Sequence, residues 1–143
     1  MKKSFFVAVL LTMFLGTSAY RSPDVAHGKG IRFFKGTFQE ALAASQETNK
    51  PIFIDVYASW CSPCKQLKRQ TFSDAAVGAY FNSNFICLSI DGETEEGSRL
   101  RSLYAVRSYP TLLITDGNAK LLTRSAGFMK PYILINFGKR IVP

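Results

Sequence analysis

The feature that most constrains this chain is an almost unbroken apolar run, "PIFIDVY" at residues 51–57, which leads within a few residues into two cysteines. Its β-branched and aromatic residues are typical of a strand that is buried on both faces of a parallel sheet. A single carboxylate, Asp55, interrupts the run, and the residues from Lys65 onward are good helix formers. The sequence therefore predicts a buried strand, then a turn that carries Cys61 and Cys64, then a helix.

The remaining chain alternates between helix and strand signals. Thr37 followed by Glu40 fits a capping box at the start of a helix that closes at Asn49. Further strands are predicted at residues 31–34, 85–91 and 110–116, the last forming a hairpin with residues 119–127. Further helices are predicted at residues 65–84 with a kink near Ser73, at 94–106 and at 130–141. This order predicts an α/β fold in which helices cover both faces of a central mixed β-sheet.

The first residues have the pattern of a secretory signal peptide: two lysines, an apolar run from Phe5 to Leu15, and then small residues up to Ala19. A membrane-spanning helix needs about 20 apolar residues, which is longer than this run, so an uncleaved membrane anchor is the alternative. The pattern predicts a signal peptide at residues 1–19, a flexible lead-in with a short strand at 20–36, and a folded domain at 37–143. A chain exported in this way would work in the periplasm or outside the cell.

The distribution of charge along the chain argues against one class of partner. The formal net charge is +8 at pH 7, from 18 basic and 10 acidic residues. Because the basic residues are scattered and form no dense run with aromatic residues, the sequence does not indicate nucleic-acid binding. The domain is long enough to bury one core without disulfide staples, and we expect it to be a monomer.

The two cysteines, Cys61 and Cys64, admit three interpretations: a structural staple, half of a metal site, or a pair that exchanges electrons. A disulfide across so short a loop removes little entropy from the unfolded chain, which argues against a staple. A structural zinc ion needs about four ligands, and only Cys87 and His27 remain to complete a set. Because Cys87 falls in a predicted buried strand and His27 in the lead-in, the sequence favours the redox pair and predicts no metal. Cys87 is interpreted as a small, buried packing residue.

The position of the pair indicates how it reacts. Cys61 follows a strand and precedes a helix, where unpaired N–H groups and the helix dipole stabilise an anion and lower the pKa of a thiol. Cys64 lies one turn later on the same side, and Lys65 adds a positive charge nearby. Strand alternation places Asp55 beneath this turn, where partial burial raises the pKa of its carboxyl and lets it take the proton from Cys64. The alternative for Asp55 is a structural ion pair with a nearby base.

Three segments of the chain resemble the thioredoxin superfamily, in the same order and spacing. "FIDVYASWCSPCK" resembles its strand, buried acid, Trp-Cys-x-x-Cys and helix; "VRSYPT" resembles its cis-proline loop; and "LITDGN" followed by "RSAG" resembles its closing hairpin. The resemblance covers about residues 37 to 143 and implies the thioredoxin-like fold. "NKPIFIDVYASWC", "TFSDAAV" and "YPT" are similar in particular to the branch of small exported bacterial thioredoxin-like thiol–disulfide oxidoreductases.

The resemblance also implies roles for individual residues. Cys61 would attack a substrate disulfide, and Cys64 would resolve the mixed disulfide. Residues next to the pair would bind the substrate: Trp60, Ser62, Pro63, Tyr109 and Pro110. A cis Tyr109–Pro110 bond would let the Tyr109 backbone pair with an extended substrate strand, whereas the residues alone predict an ordinary trans proline at the start of a strand.

The chain departs from the family pattern at two places near the pair. The residues between the cysteines are Ser62 and Pro63 rather than Gly-Pro, although Pro63 resembles the reducing members. Cys87 aligns with a lysine that lies close to the buried acid in many thioredoxins. We therefore expect Asp55 to be less charge-stabilised here and its pKa to be higher.

Together these observations predict an exported thiol–disulfide oxidoreductase that uses Cys61 and Cys64 on disulfide-containing protein substrates and needs no cofactor. We expect a reductase recharged by a membrane-bound thiol donor, because direction depends on the reduction potential of the pair and on the partner that recharges it. A disulfide isomerase or oxidase on the same fold is the alternative enzyme. A thioredoxin-fold module that only binds peptides is the alternative of a different class.

Overall fold

The computed structural model describes residues 30–143, which form five α-helices, one π-helix and four strands. The helices are α1 (Phe38–Thr48), α2 (Ser62–Leu67), α3 (Ala75–Asn84), α4 (Glu95–Leu103) and α5 (Pro131–Lys139), and the π-helix (Lys68–Phe72) extends α2. The strands are β1 (Ile52–Tyr57), β2 (Ile86–Asp91), β3 (Thr111–Thr115) and β4 (Leu121–Ala126). Within this range no helix has both the length and the apolar character that crossing a membrane requires.

The four strands form one mixed sheet in the order β2-β1-β3-β4. β1 runs parallel to β2 and antiparallel to β3, while β3 and β4 form an antiparallel hairpin. One core lies on the sheet face that α3 and α5 cover and includes Phe53 and Phe81. The other lies on the face that α1 and α4 cover and includes Ile54 and Leu100. The predicted α/β fold, with a central mixed sheet and helices on both faces, is confirmed.

Both ends of α1 follow from local sequence signals. The Thr37 side chain accepts a hydrogen bond from the Glu40 N–H at 3.2 Å, and the Glu40 carboxylate accepts one from the Thr37 N–H at 2.7 Å. This is the predicted capping box, which satisfies N–H groups that the first helical turn leaves unpaired. At the other end, Asn49 adopts the left-handed conformation with a φ of 55°, which ends the helix as predicted.

The predicted kink near Ser73 is confirmed. The helix that follows the cysteines widens into the π-helix, whose C-cap is Ser73, and α3 starts afresh after it. The Asp74 carboxylate accepts hydrogen bonds from the N–H groups of Ala76 and Val77 at 2.9 and 3.0 Å. This strong N-cap is the reason that one predicted helical stretch becomes two helices.

The strand predicted at residues 31–34 is wrong. The Ile31 N–H donates to the Phe72 carbonyl at 2.7 Å, whereas the Phe34 N–H donates to the Cys87 carbonyl at 2.6 Å. These N–H groups bond to different elements rather than to one partner strand. The segment therefore forms no ladder, and its apolar side chains pack beside the cores instead.

Residues 30–36 also differ from the flexible lead-in that the sequence predicted. Gly30 is buried, and its carbonyl accepts a hydrogen bond from the Asn82 side chain at 3.1 Å. The Asn82 oxygen in turn accepts one from the Arg32 N–H at 2.8 Å. One asparagine of α3 thus holds the segment at two points. The rest of the lead-in and the predicted signal peptide at residues 1–19 lie outside the described residues.

We expect Gly78→Ala to destabilise the protein, although replacing a helical glycine by alanine ordinarily stabilises by about 0.5–1 kcal/mol. Gly78 lies in α3, and a Cβ at this position would overlap the backbone carbonyl of Gly30. The substitution therefore displaces the segment that begins at Gly30. Urea denaturation should give a lower free energy of unfolding, and trypsin should cleave faster after Arg32 or Lys35.

Ser83→Ala is the matched control for this experiment, because Ser83 is exposed on the same helix. It should change the free energy of unfolding by no more than about 0.5 kcal/mol and leave the trypsin cleavage rate unchanged. A Gly78→Ala protein that is more stable than wild type and equally resistant to trypsin would contradict the described packing of the segment.

Candidate active site

Cys61 and Cys64 are joined by a disulfide at the start of α2. Their Cα atoms are 5.3 Å apart, and both residues are buried, with 2% of Cys61 and 7% of Cys64 exposed. Cys61 is the N-cap of α2, and its Sγ accepts a hydrogen bond from the Cys64 N–H at 3.2 Å. The two sulfurs therefore lie on the same side of the backbone, as their one-turn spacing predicted.

Local sequence explains why the chain turns at this point. The Cys61 N–H donates to the Ala58 carbonyl at 3.1 Å, which closes the turn after β1. Pro63 lies in the first turn of α2, where its missing N–H costs nothing. The Lys65 N–H donates to the Cys61 carbonyl at 3.2 Å and begins the helical ladder. Ser62 and Pro63 are exposed beside the disulfide, so a substrate can reach them.

Asp55 lies on the central strand and is buried, with 3% of the residue exposed. The Ser89 hydroxyl donates a hydrogen bond to its Oδ2 at 2.9 Å, and its Oδ1 has no partner among the described residues. Burial raises the pKa of the Asp55 carboxyl to about 6, while the Ser89 hydrogen bond and the positive charge of Lys68 act in the opposite direction. The direction and its cause agree with the sequence prediction, but the carboxyl is more deeply buried than predicted.

A cavity of about 240 Å³ connects Asp55 with the cysteine pair. Cys64 lines this cavity and Cys61 does not. The other lining residues are Tyr57, Ala58, Ser59, Lys65 and Lys68. The arrangement places a proton acceptor, whose pKa lies near neutrality, in the same space as the second cysteine of the pair.

Ser89 and Lys68 are the site residues that sequence reasoning missed. The register of β1 and β2 pairs Asp55 with Ser89, and Phe53 with Cys87. The residue that contacts the acid is therefore Ser89 rather than the residue at position 87, and the added positive charge comes from Lys68 in the π-helix. The available signals were a lone hydroxyl in an apolar strand, and a lysine one helical turn after Cys64.

Cys87 has a free thiol that is buried in the core on the α3 side of the sheet. Burial raises the pKa of this thiol to about 12, so it stays protonated and is a poor nucleophile at neutral pH. The predicted role of Cys87 as a packing residue is confirmed. Within residues 30–143, no group of three or more His, Cys, Asp and Glu side chains is placed to hold a metal ion.

An aromatic pair lies beside the disulfide. Trp60 is 67% exposed, and its ring meets the Tyr109 ring edge to face with the centroids 5.8 Å apart. Tyr109 also packs against the small buried cluster that contains the disulfide. The Tyr109–Pro110 bond is cis, which confirms the prediction from the family resemblance. Trp60, Tyr109 and Pro110 therefore meet at one border of the cysteine pair.

The helix that begins at the disulfide carries positive charge only. Residues 62–72 contain Lys65, Lys68 and Arg69, all exposed, and no acidic residue. The Lys68 ammonium lies over the Tyr57 ring, 5.2 Å from its centroid. These charges attract acidic groups to this border.

Comparison with known proteins agrees with this geometry. A family model described as thioredoxin-like matches residues 34–117. The thiol:disulfide interchange protein DsbD of Vibrio vulnificus strain CMCP6 is 33% identical in an alignment of 107 residues that covers 72% of this chain and 18% of DsbD. The chain thus spans less than a fifth of the length of the curated relatives it matches first.

Solved structures give the same result. The solution structure of a proposed disulphide-isomerase from Bacteroides thetaiotaomicron superimposes with a TM-score of 0.70 at 37% identity, covering 78% of this chain and 93% of that one. The oxidised C-terminal domain of Neisseria meningitidis DsbD superimposes with a TM-score of 0.61 at 22% identity, covering 71% and 89%, and so supports the fold. The chain belongs to the thioredoxin-like family, and its Cys61 and Cys64 form a disulfide within a Cys-x-x-Cys motif.

Proposed function

We propose that this chain is an exported protein that reduces disulfides in other proteins with the Cys61–Cys64 dithiol. The observation that carries the proposal is the shared cavity, in which a buried carboxyl with a pKa near 6 adjoins the second cysteine of the pair. Export is supported by the signal-peptide pattern at residues 1–19. The pair itself holds the two electrons, so the reaction needs no bound cofactor.

In the first step, the Cys61 thiolate of the reduced protein attacks one sulfur of a substrate disulfide. A Cys61–substrate disulfide forms, and the other substrate sulfur leaves as a thiolate. The Cys64 N–H, which donates to the Cys61 sulfur, and the start of α2 stabilise the attacking anion. Because Cys61 is buried, a substrate disulfide has to dock closely against the pair before it is attacked.

In the second step, Cys64 attacks the Cys61 sulfur of the mixed disulfide. The Cys61–Cys64 disulfide forms, and the second substrate sulfur leaves, so two electrons have passed from the protein to the substrate. Cys64 must first lose its proton, and Asp55 accepts it across the cavity that both residues line. A pKa of about 6 suits this role, because an efficient base titrates near the working pH.

We propose reduction as the direction because the proline between the cysteines, Pro63, is similar to the residue that the reducing members of the family have there. A reductase in an oxidising compartment has to be recharged by thiols, and we propose a membrane-bound thiol donor for this chain. Similarity to proteins named for thiol:disulfide interchange supports exchange with a protein partner. We further propose that the chain acts as a monomer.

Disulfide isomerisation is the second candidate, and it is favoured by the 37% identity to the proposed disulphide-isomerase. The reduction potential of the Cys61–Cys64 pair separates the two candidates. We expect a reduction potential of about −270 mV, which is the value of thioredoxin. A potential of about −180 mV, the value of protein disulfide isomerase, would support the second candidate. Equilibration with glutathione buffers, followed by alkylation and mass measurement, gives this potential.

We expect the purified protein to accelerate insulin reduction by dithiothreitol, and Cys61→Ser to lower the rate to that of dithiothreitol alone. Cys64→Ser should retain the attacking sulfur but accumulate mixed disulfides, which appear as adducts on non-reducing gels. Cys87→Ala is the control and should keep wild-type activity, because Cys87 lies in the core away from the pair. A wild-type protein that is no faster than Cys61→Ser would favour a peptide-binding module without catalysis.

We expect Asp55→Asn to stabilise the oxidised protein over wild type by more at pH 8 than at pH 4. Because the folded pKa of about 6 lies above the ordinary 3.8, the wild-type fold loses stability as pH rises from about 4 to 6, and the loss then stays constant. The substitution removes this loss, which corresponds to about 2–3 kcal/mol at 1.36 kcal/mol for each unit of pKa. Urea denaturation at both pH values measures it, and the comparison cancels any cost of the new amide that does not depend on pH.

The exposed carboxyl of Glu47 on α1 provides the control. Glu47→Gln should leave the pH dependence of the unfolding free energy as it is in wild type. An Asp55→Asn protein whose stability advantage is the same at pH 4 and pH 8 would contradict the raised pKa.

A further inference from the structure

The Tyr109 side chain is held by residues of a different segment, the loop after β2 and the following helix α4. Its hydroxyl donates a hydrogen bond to Glu93 Oε1 at 2.6 Å. The same oxygen accepts from Arg101 Nη1 at 3.3 Å, and the Arg101 guanidinium lies over the Tyr109 ring, 5.4 Å from its centroid. We call Glu93 and Arg101 the Tyr109 clamp.

The loop that carries Glu93 is itself fixed to the sheet. The Gly92 N–H donates to the Tyr57 carbonyl at 2.7 Å, where β1 ends. The Tyr109 ring lies so close to Gly92 that a Cβ at residue 92 would overlap its hydroxyl and ring edge. Any larger residue at position 92 would therefore displace the ring, so Tyr109 can pack here only because residue 92 is glycine.

The clamp acts on the border of the disulfide through the aromatic pair. Tyr109 contacts the cluster that contains the disulfide, meets Trp60 edge to face and immediately precedes the cis proline. A change in the position of the Tyr109 ring would therefore alter the space beside the disulfide in which a substrate has to dock. Glu93 and Arg101 have about half and over a third of their side chains exposed, and neither lines the Asp55 cavity.

We propose that Glu93 and Arg101 are positioning residues for substrate binding, which hold Tyr109 where it and Trp60 together receive the segment of a protein substrate that carries the disulfide. The inference rests on the proposed function and deepens it. It assigns to the loop after β2 a part in substrate affinity, separate from the proton transfer that Asp55 performs.

The protonation state of Tyr109 is consistent with this role. Burial and the Glu93 hydrogen bond raise the pKa of Tyr109 to about 12, with smaller contributions in the same direction from the charges of Glu93 and Asp91, while Arg101 acts in the opposite direction. The phenol therefore keeps its proton at any pH at which the enzyme works. It remains a donor to Glu93, and the clamp does not open by titration of the tyrosine.

Glu93→Ala, Glu93→Gln and the control Glu95→Ala test the proposal. Glu95 lies two residues further on, and its salt bridge to Arg99 at 2.7 Å is exposed and does not reach Tyr109. We expect Glu93→Ala to raise the KM for insulin about three- to tenfold with a smaller change in kcat, a range that matches the net contribution of one ordinary hydrogen bond. Glu93→Gln keeps an acceptor oxygen and should restore most of the affinity, and Glu95→Ala should match wild type.

Trp60, the single tryptophan of the chain, provides a second readout that needs no turnover. In the resting oxidised protein, Glu93→Ala should change the intensity or wavelength of Trp60 fluorescence, because the Tyr109 ring against it is released. Arg101→Ala should change it in the same way, since it removes the other half of the clamp. Glu93→Gln and Glu95→Ala should leave the spectrum close to that of wild type.

Three outcomes would overturn the proposal: wild-type KM and fluorescence in Glu93→Ala, equal impairment in Glu93→Ala and Glu93→Gln, or a fall in kcat with KM unchanged. The second outcome would assign the effect to charge, and the third to chemistry. An inactive wild-type protein would instead refute the proposed function. The fluorescence of the oxidised variants would still decide whether Glu93 and Arg101 hold the aromatic pair.

Discussion

The constraint on which the site depends is the burial of a carboxyl group on the central strand of the sheet. β1 is covered on both faces, so a polar group on it must find a partner or carry an energetic cost. One carboxylate oxygen of Asp55 accepts a hydrogen bond from Ser89, while the other has no partner within the described residues. Burial raises the pKa of this carboxyl to about 6. The cores on the two sides of β1 offset this cost, which matters in a domain whose net stability is typically about 5–15 kcal/mol.

The site forms where three segments of the chain meet at one edge of the sheet. β1 and β2 are parallel, so the turn that carries Cys61 and the loop that carries Glu93 both leave from their carboxyl ends. β3 is antiparallel to β1, so the residue before it, Pro110, enters at that same edge. The hydrogen bond from Gly92 to Tyr57 joins the first two segments directly. The mixed character of the sheet is thus what brings the cysteines, the cis proline and the clamp together.

The groups proposed for proton transfer and those proposed for substrate binding lie at different places around the disulfide. Asp55 and Cys64 share a cavity whose lining includes neither Trp60 nor Tyr109. The aromatic pair borders the disulfide elsewhere and is anchored by charged residues from the loop after β2 and from α4. Under the proposed roles, a change at Glu93 or Arg101 would alter substrate affinity without disturbing the environment of the buried acid.

The sequence by itself determined the features that depend on neighbours along the chain. The capping box of α1, the break near Ser73 and the closure of Cys61 on Cys64 all involve residues within a few positions of each other, where helix geometry alone specifies the contacts. The cis state of Pro110 came from the family resemblance, because the residues by themselves favour the trans isomer. The apolar pattern also sufficed for the mixed sheet.

Only the tertiary structure decided which distant residues meet. Ser89 faces Asp55 because of the register between two strands, and Glu93 reaches Tyr109 because two loops end at the same edge of the sheet. Residues 31–34 have the composition of a strand, yet their N–H groups bond to separate elements, that of Phe34 to β2 and that of Ile31 to the π-helix. Contacts such as these depend on the packing of whole elements, which hydrophobic periodicity along one segment does not specify.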